Sequence, residues 1–175
     1  MISDSMKIRY ATKNDLDAMV EVDRKAYEEY GANKEYFVKK MTSLSKGILV
    51  VEEGKRITGF IVFEIMNKDD IPEDFCDMRL EEPINGKWMH PVAFTTKTNY
   101  KDKISDSKLL LAAEKIAKSK GCIESCVPLS KNHPFKDNGV FEFWKMNGYK
   151  NIGEIKWIPN SNEFIECYFY KKNLV

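Results

Sequence analysis

The sequence has few of the residues that usually build a metal centre or a disulfide framework. It contains four cysteines and two histidines in 175 residues, and no two cysteines form a Cys-x-x-Cys pair. Cys122 and Cys126 could join His90 and His133 around a metal ion, but these residues lack the spacing that zinc ligands show. We therefore interpret the cysteines as small buried residues and predict no metal site.

Long apolar runs and an excess of one charge are missing as well. No apolar stretch reaches the roughly 20 residues that a membrane-spanning helix requires, and the opening residues MISDSMKIRY lack the apolar segment of a secretory signal. The formal net charge of +1 gives no support for nucleic-acid binding. With 43% hydrophobic and 31% charged residues, we expect a cytoplasmic, globular protein with one domain over residues 1–175 and with no membrane or nucleic-acid partner.

The periodicity of apolar residues predicts about seven strands and four helices. The strands are predicted at 7–12, 47–54, 55–66, 87–96, 122–129, 151–158 and 163–172. The helices are predicted at 13–30, 33–44, the second half of 99–122, and 138–148. The third helix should place Leu109, Ala112, Ala113 and Ile116 on its inner face.

Local signals mark several of the boundaries. Asn14 or Asp15 can cap the first helix, and Asn33 can cap the second. A turn at 53–55 should join two strands into a hairpin, and the sequence PNSN at 159–162 should join the last two strands. Lys120 and Gly121 form a typical helix end.

Residues 67–86 interrupt the pattern with seven acidic residues against two basic ones and two prolines. We interpret them as a loop, or as a short helix between loops. Such a segment could attract a cationic amine, or it could simply be solvated.

The element order predicts a mixed central sheet with helices on both faces, an α/β/α arrangement. The strand 87–96, the lysine-rich segment after it, the helix and the strand 122–129 form a crossover unit. We expect this unit to be parallel and right-handed.

Two stretches carry a resemblance to a known family. The first is YKDKISDSKLLLAAEKIAKSKGC. In the family, an Arg or Gln, then a first glycine, then a second Gly or Ala precede a leucine-rich helix. In this sequence, these three positions hold Lys101, Ile104 and Asp106. In NGVFEFWKMNGYK, Asn138 precedes a helix and Trp144 stands where a Tyr is usual. The remaining matches are Leu109, Leu110, Ala117, Gly121, Phe143, Gly148 and Tyr149. From Lys7 to Tyr170 the chain resembles the GNAT family of acyl-CoA N-acyltransferases.

The resemblance implies that the segment before the third helix holds the pyrophosphate of acetyl-CoA or of another acyl-CoA. In such a site, backbone N–H groups at the helix N-terminus point at the phosphates. The implied cofactor-binding residues are Phe94, Thr95, Thr96, Lys101, Lys103, Ile104, Ser105, Asp106, Ser107 and Asn138.

Two departures from the family pattern bear on cofactor binding. Ile104 is β-branched and cannot easily take the positive φ that a glycine takes. Asp106 adds a negative charge, and it could cap the helix and occupy the N–H groups that a phosphate needs. Four lysines could instead bind phosphates through their side chains, namely Lys97, Lys101, Lys103 and Lys108. The alternative is a solvated loop before an ordinary capped helix.

The resemblance also implies the chemical roles. Glu64 and Glu124 are the candidates for the base, although each could be a solvent-facing strand residue. Backbone N–H groups between Phe94 and Thr96 would stabilise the oxyanion, where the family splays two strands apart. In the family a tyrosine often protonates the leaving thiolate, but this chain has Trp144 at that position, and an indole cannot serve as an acid. The role of the acid would then be unfilled, or Tyr149, Tyr168 or Cys126 would take it.

We therefore expect an N-acyltransferase, most simply an N-acetyltransferase that moves an acetyl group from acetyl-CoA to the amine of a small molecule or peptide by direct attack. The rival hypothesis is a protein of the same fold without transferase activity that acts as a binding or regulatory module. The acceptor, the acyl group and the choice between monomer and homodimer stay open.

Overall fold

The structure, a computed structural model, describes residues 5–43, 47–160 and 163–175 and has a mixed α/β fold. In these residues the strands are β1 (Lys7–Tyr10), β2 (Ile48–Glu53), β3 (Arg56–Met66), β4 (Phe75–Leu80), β5 (Trp88–Thr96), β6 (Glu124–Ser130), β7 (Lys150–Asn160) and β8 (Glu163–Asn173). The α-helices are α1 (Leu16–Tyr27), α2 (Lys34–Ser43), α3 (Lys103–Ser119) and α4 (Val140–Met146).

The strands form an eight-stranded mixed sheet in the order β1-β2-β3-β5-β6-β8-β7-β4. The predicted fold class is confirmed, with eight strands in place of about seven. The predicted parallel crossover is also confirmed, because β5 and β6 run parallel with Trp88 opposite Glu124 and Met89 opposite Ser125. Its handedness stays a prediction.

The additional strand, β4, lies within the acidic stretch 67–86, where a loop or a short helix was expected. It pairs antiparallel with β7, and the register shifts between Cys76 and Arg79. Asp77 adopts a positive φ of 45° at this irregularity. Half-buried and exposed residues still alternate from Cys76 to Leu80, so a short strand signal was present within the acidic stretch.

Several predicted boundaries are confirmed. The N–H of Tyr36 donates to Asn33 Oδ1 at 2.9 Å, so Asn33 caps α2. The β2–β3 hairpin closes through Gly54 and Lys55, both with positive φ. Gly121 ends α3 with a φ of 92°. In the predicted turn 159–162, residues 161 and 162 lie outside the described residues.

The structure corrects two details of the helices. Asp15 precedes α1, but its carboxylate accepts hydrogen bonds from Arg9 and from the N–H of Thr12 and does not cap the helix. The most buried residues of α3 are Leu109, Leu110, Ala113 and Ala117. The expected inner-face residues Ala112 and Ile116 are only half-buried.

The chain divides into two compact units, the first within Met1–Glu64 and Pro91–Ala113 and the second within Ile65–His90 and Glu114–Val175. The core of the first unit contains Leu16, Met19, Phe37, Ile48, Val50, Phe60 and Val62. The core of the second contains Phe75, Ile84, Trp88, Cys126, Ile152, Ile155, Cys167 and Phe169. The expectation of one domain over residues 1–175 stays a prediction.

In the first unit, β3 approaches the end of β5 closely at Gly59. A Cβ atom at this position would lie 2.9 Å from the carbonyl oxygen of Thr95, which is too close for any side chain. Gly59 therefore allows β3 to pass beside the last residues of β5. These residues lead into the segment before α3, for which the resemblance implies cofactor binding.

Candidate functional site

The segment between β5 and α3, residues 97–102, folds as a tight turn with two consecutive left-handed residues. Asn99 has a φ of 49° and Tyr100 a φ of 69°. Asparagine adopts this region fairly readily, whereas a bulky tyrosine does so rarely and at a cost. The Lys101 N–H donates to Thr98 O at 3.0 Å within the turn. We call residues 97–102 the cofactor loop, after the role that the family resemblance implies for this segment.

Asp106 holds the cofactor loop from the first turns of α3. Its side chain is buried, with 4% of the residue exposed. Its Oδ2 accepts hydrogen bonds from Thr98 Oγ1 at 2.8 Å and from the Tyr100 N–H at 2.9 Å. Burial raises the pKa of Asp106, and the hydrogen bonds from Thr98 and from the Tyr100 N–H oppose that rise.

The residue that caps α3 is Asp102 and not Asp106. The Ser105 N–H donates to Asp102 Oδ1 at 3.1 Å, and the Asp106 N–H donates to the carbonyl oxygen of Asp102 at 3.0 Å. The expectation that Asp106 occupies the helix N–H groups is therefore wrong. The N–H of Ile104 is not the donor of any hydrogen bond among the described residues.

Ile104 does not raise the backbone problem that its sequence position suggested. It lies in the first turn of α3 and is not among the residues with positive φ, so a glycine is not required there. The residue is 76% exposed. Ser105 is half-buried, and the buried Ser107 donates to Lys103 O.

The four lysines near the cofactor loop differ in their partners. Lys97 pairs with Glu53 at 2.5 Å, and Lys103 Nζ donates to Tyr100 O at 3.0 Å. Lys101 and Lys108 are exposed and take part in none of the described ion pairs. These two lysines have free ammonium groups for a ligand, whereas Lys103 supports the loop.

The end of β5 is fixed by a buried aspartate that the sequence analysis did not single out. Thr95 Oγ1 donates to Asp23 Oδ1 at 2.8 Å, and the Ala32 N–H donates to Asp23 Oδ2 at 2.6 Å. Burial raises the pKa of Asp23. Its position on the apolar face of α1, four residues after Met19, was a signal that could have identified it.

Tyr100 of the cofactor loop packs against Phe94 of β5. The rings of Phe94 and Tyr100 lie 5.7 Å apart, and both residues are buried. The Tyr100 side chain is also hydrogen-bonded to that of Tyr27, whose pKa is raised by burial. The left-handed Tyr100 is thus held by its ring, its hydroxyl and its backbone.

The two candidate bases are both bound to lysines. Glu64 pairs with Lys40 at 2.8 Å, and its side chain is 23% exposed. Glu124 accepts from the Asn85 N–H at 3.0 Å and pairs with Lys171 at 3.4 Å, and its side chain is 4% exposed. Glu64 is therefore the more accessible carboxylate.

Burial makes two of the three substitute acids, Tyr149 and Cys126, weaker proton donors. The Tyr149 hydroxyl donates to Glu114 Oε1 at 2.9 Å and bonds to Ser125 Oγ at 2.7 Å, and burial raises its pKa. Burial also raises the pKa of Cys126. Tyr168 is half-buried beside Phe141.

Asn138 and Trp144 belong to the second resemblance. Asn138 is half-buried at the end of a short 3-10 turn, Lys136–Asn138. Trp144 is buried in α4 against Tyr149, with the ring centroids 4.8 Å apart. The described residues contain no group of His, Cys, Asp or Glu that could hold a metal, and none of their helices is long and apolar enough to cross a membrane.

Comparisons with known proteins give a fold and no sequence family. No family model matches the chain, and no curated protein matches it. Solved structures do match over nearly the whole length. PaiA N-acetyltransferase from Thermoplasma acidophilum, in complex with coenzyme A, is 19% identical with a TM-score of 0.64, covering 97% of this chain and 99% of that chain.

Two further structures agree. YncA from Salmonella typhimurium, a putative acetyltransferase with acetyl-CoA, is 13% identical with a TM-score of 0.67, covering 98% of this chain and 95% of that chain. The loading GNATL domain of CurA from Lyngbya majuscula is 12% identical with a TM-score of 0.73, covering 97% of this chain and 98% of that chain. The chain therefore has an acetyltransferase-type α/β fold. More specifically, this is the fold of the GNAT N-acetyltransferases.

Proposed function

We propose that this protein is an acyl-CoA-dependent N-acyltransferase, most simply one that moves an acetyl group from acetyl-CoA to an amine of a small molecule or peptide. The observation that carries the proposal is the cofactor loop. In a chain with the fold of proteins that were solved with coenzyme A or acetyl-CoA, this loop is held in a strained conformation directly before α3.

Phosphate binding at this position has a simple physical basis. A helix N-terminus carries partial positive charge and unpaired N–H groups, here including that of Ile104. Lys101 and Lys108 add positive potential, and Asp102 opposes it with its carboxylate. The N–H groups and lysines would hold the pyrophosphate of the co-substrate.

The transfer step needs a neutral amine and a leaving thiolate. Glu64 is our candidate base, since its carboxylate is more accessible than that of Glu124. It would take a proton from the ammonium group, the amine nitrogen would attack the thioester carbonyl carbon, and the C–S bond would break. The thiolate of CoA can leave unaided because a thiol titrates near about 8.5, and the second proton, which the nitrogen loses as the amide forms, passes to this thiolate directly or through water.

Calorimetric titration with acetyl-CoA and with free CoA tests the proposal. We expect micromolar dissociation constants, weakened in Lys101→Ala/Lys108→Ala and unchanged in Lys39→Ala, which removes an exposed lysine on α2. Turnover is then measured on a panel of amines by release of free thiol. An absence of binding at millimolar CoA would contradict the proposal.

The rival function is binding or regulation without transfer. The buried Trp144, at the position where the family usually has its tyrosine acid, favours this rival. Binding of acetyl-CoA without turnover on any amine of the panel would support the rival.

A further inference from the structure

We infer that Asp106 is a positioning residue that holds the cofactor loop in its phosphate-binding conformation, in place of the glycines of the family pattern. The inference rests on the proposed function and assigns this carboxylate the opposite effect to the one its sequence position suggests. A negative charge beside a phosphate site should weaken binding, whereas a buried support for the loop should strengthen it.

The first step is that the loop conformation needs support. Asn99 and Tyr100 are both left-handed, and two such residues in succession are unfavourable without glycine. An unsupported loop would therefore populate other conformations, and only a fraction of molecules would present the loop to a ligand as seen here.

The second step is that Asp106 supplies this support through one oxygen atom. Oδ2 accepts both the Thr98 hydroxyl and the Tyr100 N–H, which brackets Asn99. On the other side of Tyr100, its carbonyl oxygen accepts from Lys103 Nζ. The N–H and the C=O of the strained residue are thus both bonded to side chains of α3.

The third step separates the oxygen from its charge. Among the described residues, the hydrogen-bond donors to the Asp106 carboxylate are a hydroxyl and a backbone N–H, and none is a cation. An asparagine can place its neutral Oδ1 where Oδ2 of Asp106 lies and accept the same two hydrogen bonds. Asp106→Asn therefore removes the charge and keeps the support, while Asp106→Ala removes both.

The expected magnitude follows from population arithmetic. The apparent dissociation constant rises by the inverse of the competent fraction, so a loop that is competent one tenth of the time binds about tenfold more weakly. A charge effect has the opposite sign, because loss of a carboxylate near phosphates should tighten binding in both variants.

The experiment is calorimetric titration of the full chain with free CoA, at a temperature where circular dichroism shows each variant fully folded. We expect about tenfold weaker binding for Asp106→Ala, and binding within about twofold of wild type, or tighter, for Asp106→Asn. Asp17→Asn is the matched control, since it removes an exposed carboxylate from the first turn of a different helix, α1. It should not weaken binding.

A second variant covers the case in which Asp106→Ala does not fold. Thr98→Val removes the half-buried hydroxyl that donates to Asp106 Oδ2 and accepts from the Asp102 N–H, and it should weaken CoA binding several-fold. If Asp106→Ala or Thr98→Val binds CoA as tightly as wild type or more tightly, the inference is wrong and the proposed function stands. If wild type does not bind CoA, the proposed function fails and the inference fails with it.

Discussion

Two of the regions in which this protein buries carboxylates hold them in different ways. Around the end of β5, the hydrogen bonds that Asp23 and Asp106 accept from the described residues come from hydroxyl and backbone N–H groups. Among β6, β8 and the second half of α3, Glu124 and Glu114 are bound by Lys171 and Lys172. We call these the neutral-donor region and the lysine-paired region.

The difference separates two uses of a buried charge. An ion pair compensates the charge itself and so lowers the free-energy cost of burying the acid. The two pairs also link β8 to β6 and to α3. Neutral donors compensate less, but each one fixes a defined backbone or side-chain position. The neutral-donor region adjoins the segment that we propose binds the co-substrate, where precise placement of the backbone is needed.

The largest expected effect breaks the lysine-paired region. Lys171→Met leaves Glu124 buried without its cation, and we expect the free energy of unfolding to fall by about 3 to 5 kcal/mol. Urea denaturation followed by circular dichroism measures this change.

Lys150→Met is the control for this variant. Lys150 pairs with Glu82, which also contacts Lys171, but the Lys150 side chain is exposed. We expect almost no change in stability. If Lys150→Met and Lys171→Met lower the free energy of unfolding equally, the buried pair in the lysine-paired region contributes no more to stability than a surface pair.

A smaller effect is expected in the neutral-donor region. Thr95→Val conserves shape but removes the hydroxyl that donates to Asp23, which leaves a buried carboxylate with fewer donors. We expect a loss of about 1 to 3 kcal/mol in urea denaturation. Thr42→Val removes an exposed helical hydroxyl and serves as the control. A Thr95→Val protein as stable as wild type would show that the neutral donors contribute little.

Features set by neighbouring residues could be predicted from the sequence. The Asn33 cap, the hairpin at 53–55 and the end of α3 at Gly121 depend on a few consecutive residues, and all three are found in the structure. Strand β4 carried only a short alternating signal, Cys76 to Leu80, inside a stretch whose acidic residues and prolines favour a loop.

The roles of the acidic residues near the candidate site were harder to predict. Whether Asp102 or Asp106 caps α3 depends on where the helix begins, and a shift of one turn exchanges the exposed and the buried carboxylate. The support of Tyr100 by Asp106 depends on left-handed backbone at two non-glycine residues, which no sequence pattern indicates. Asp23 did carry a signal, its spacing on α1, but its partner Thr95 is distant in sequence.

The exposed cap of α3 tests whether the helix end itself is robust. Asp102→Ala removes the side-chain acceptor for the Ser105 N–H, and we expect a loss of about 1 kcal/mol. Asp102→Asn keeps an acceptor and should lose only a few tenths. Thermal unfolding of both variants measures the difference. If the two variants are equally destabilised, the carboxylate charge and not the cap is what stabilises this helix.

The smallest effect sharpens the comparison through pH. Burial raises the pKa of Asp23, whereas the Arg9 guanidinium lowers the pKa of Asp15. A group whose pKa is higher in the folded than in the unfolded protein stabilises the fold at pH values below its pKa in the unfolded protein. This stabilisation is lost as pH rises through its pKa in the folded protein. A lowered pKa gives stability that is present above the unfolded pKa and lost as pH falls through the folded pKa.

The two aspartates should therefore show opposite slopes. We compare the free energy of unfolding of wild type with that of Asp23→Asn. The advantage of wild type should fall as pH rises above about 4, the ordinary aspartate pKa. Wild-type stability minus that of Asp15→Asn should instead grow as pH rises toward about 4. Each slope is a fraction of the roughly 1.4 kcal/mol per pH unit that one whole proton gives. Urea denaturation across acidic and neutral pH measures both, and slopes of the same sign would mean that Asp23 is compensated as fully by neutral donors as Asp15 is by arginine.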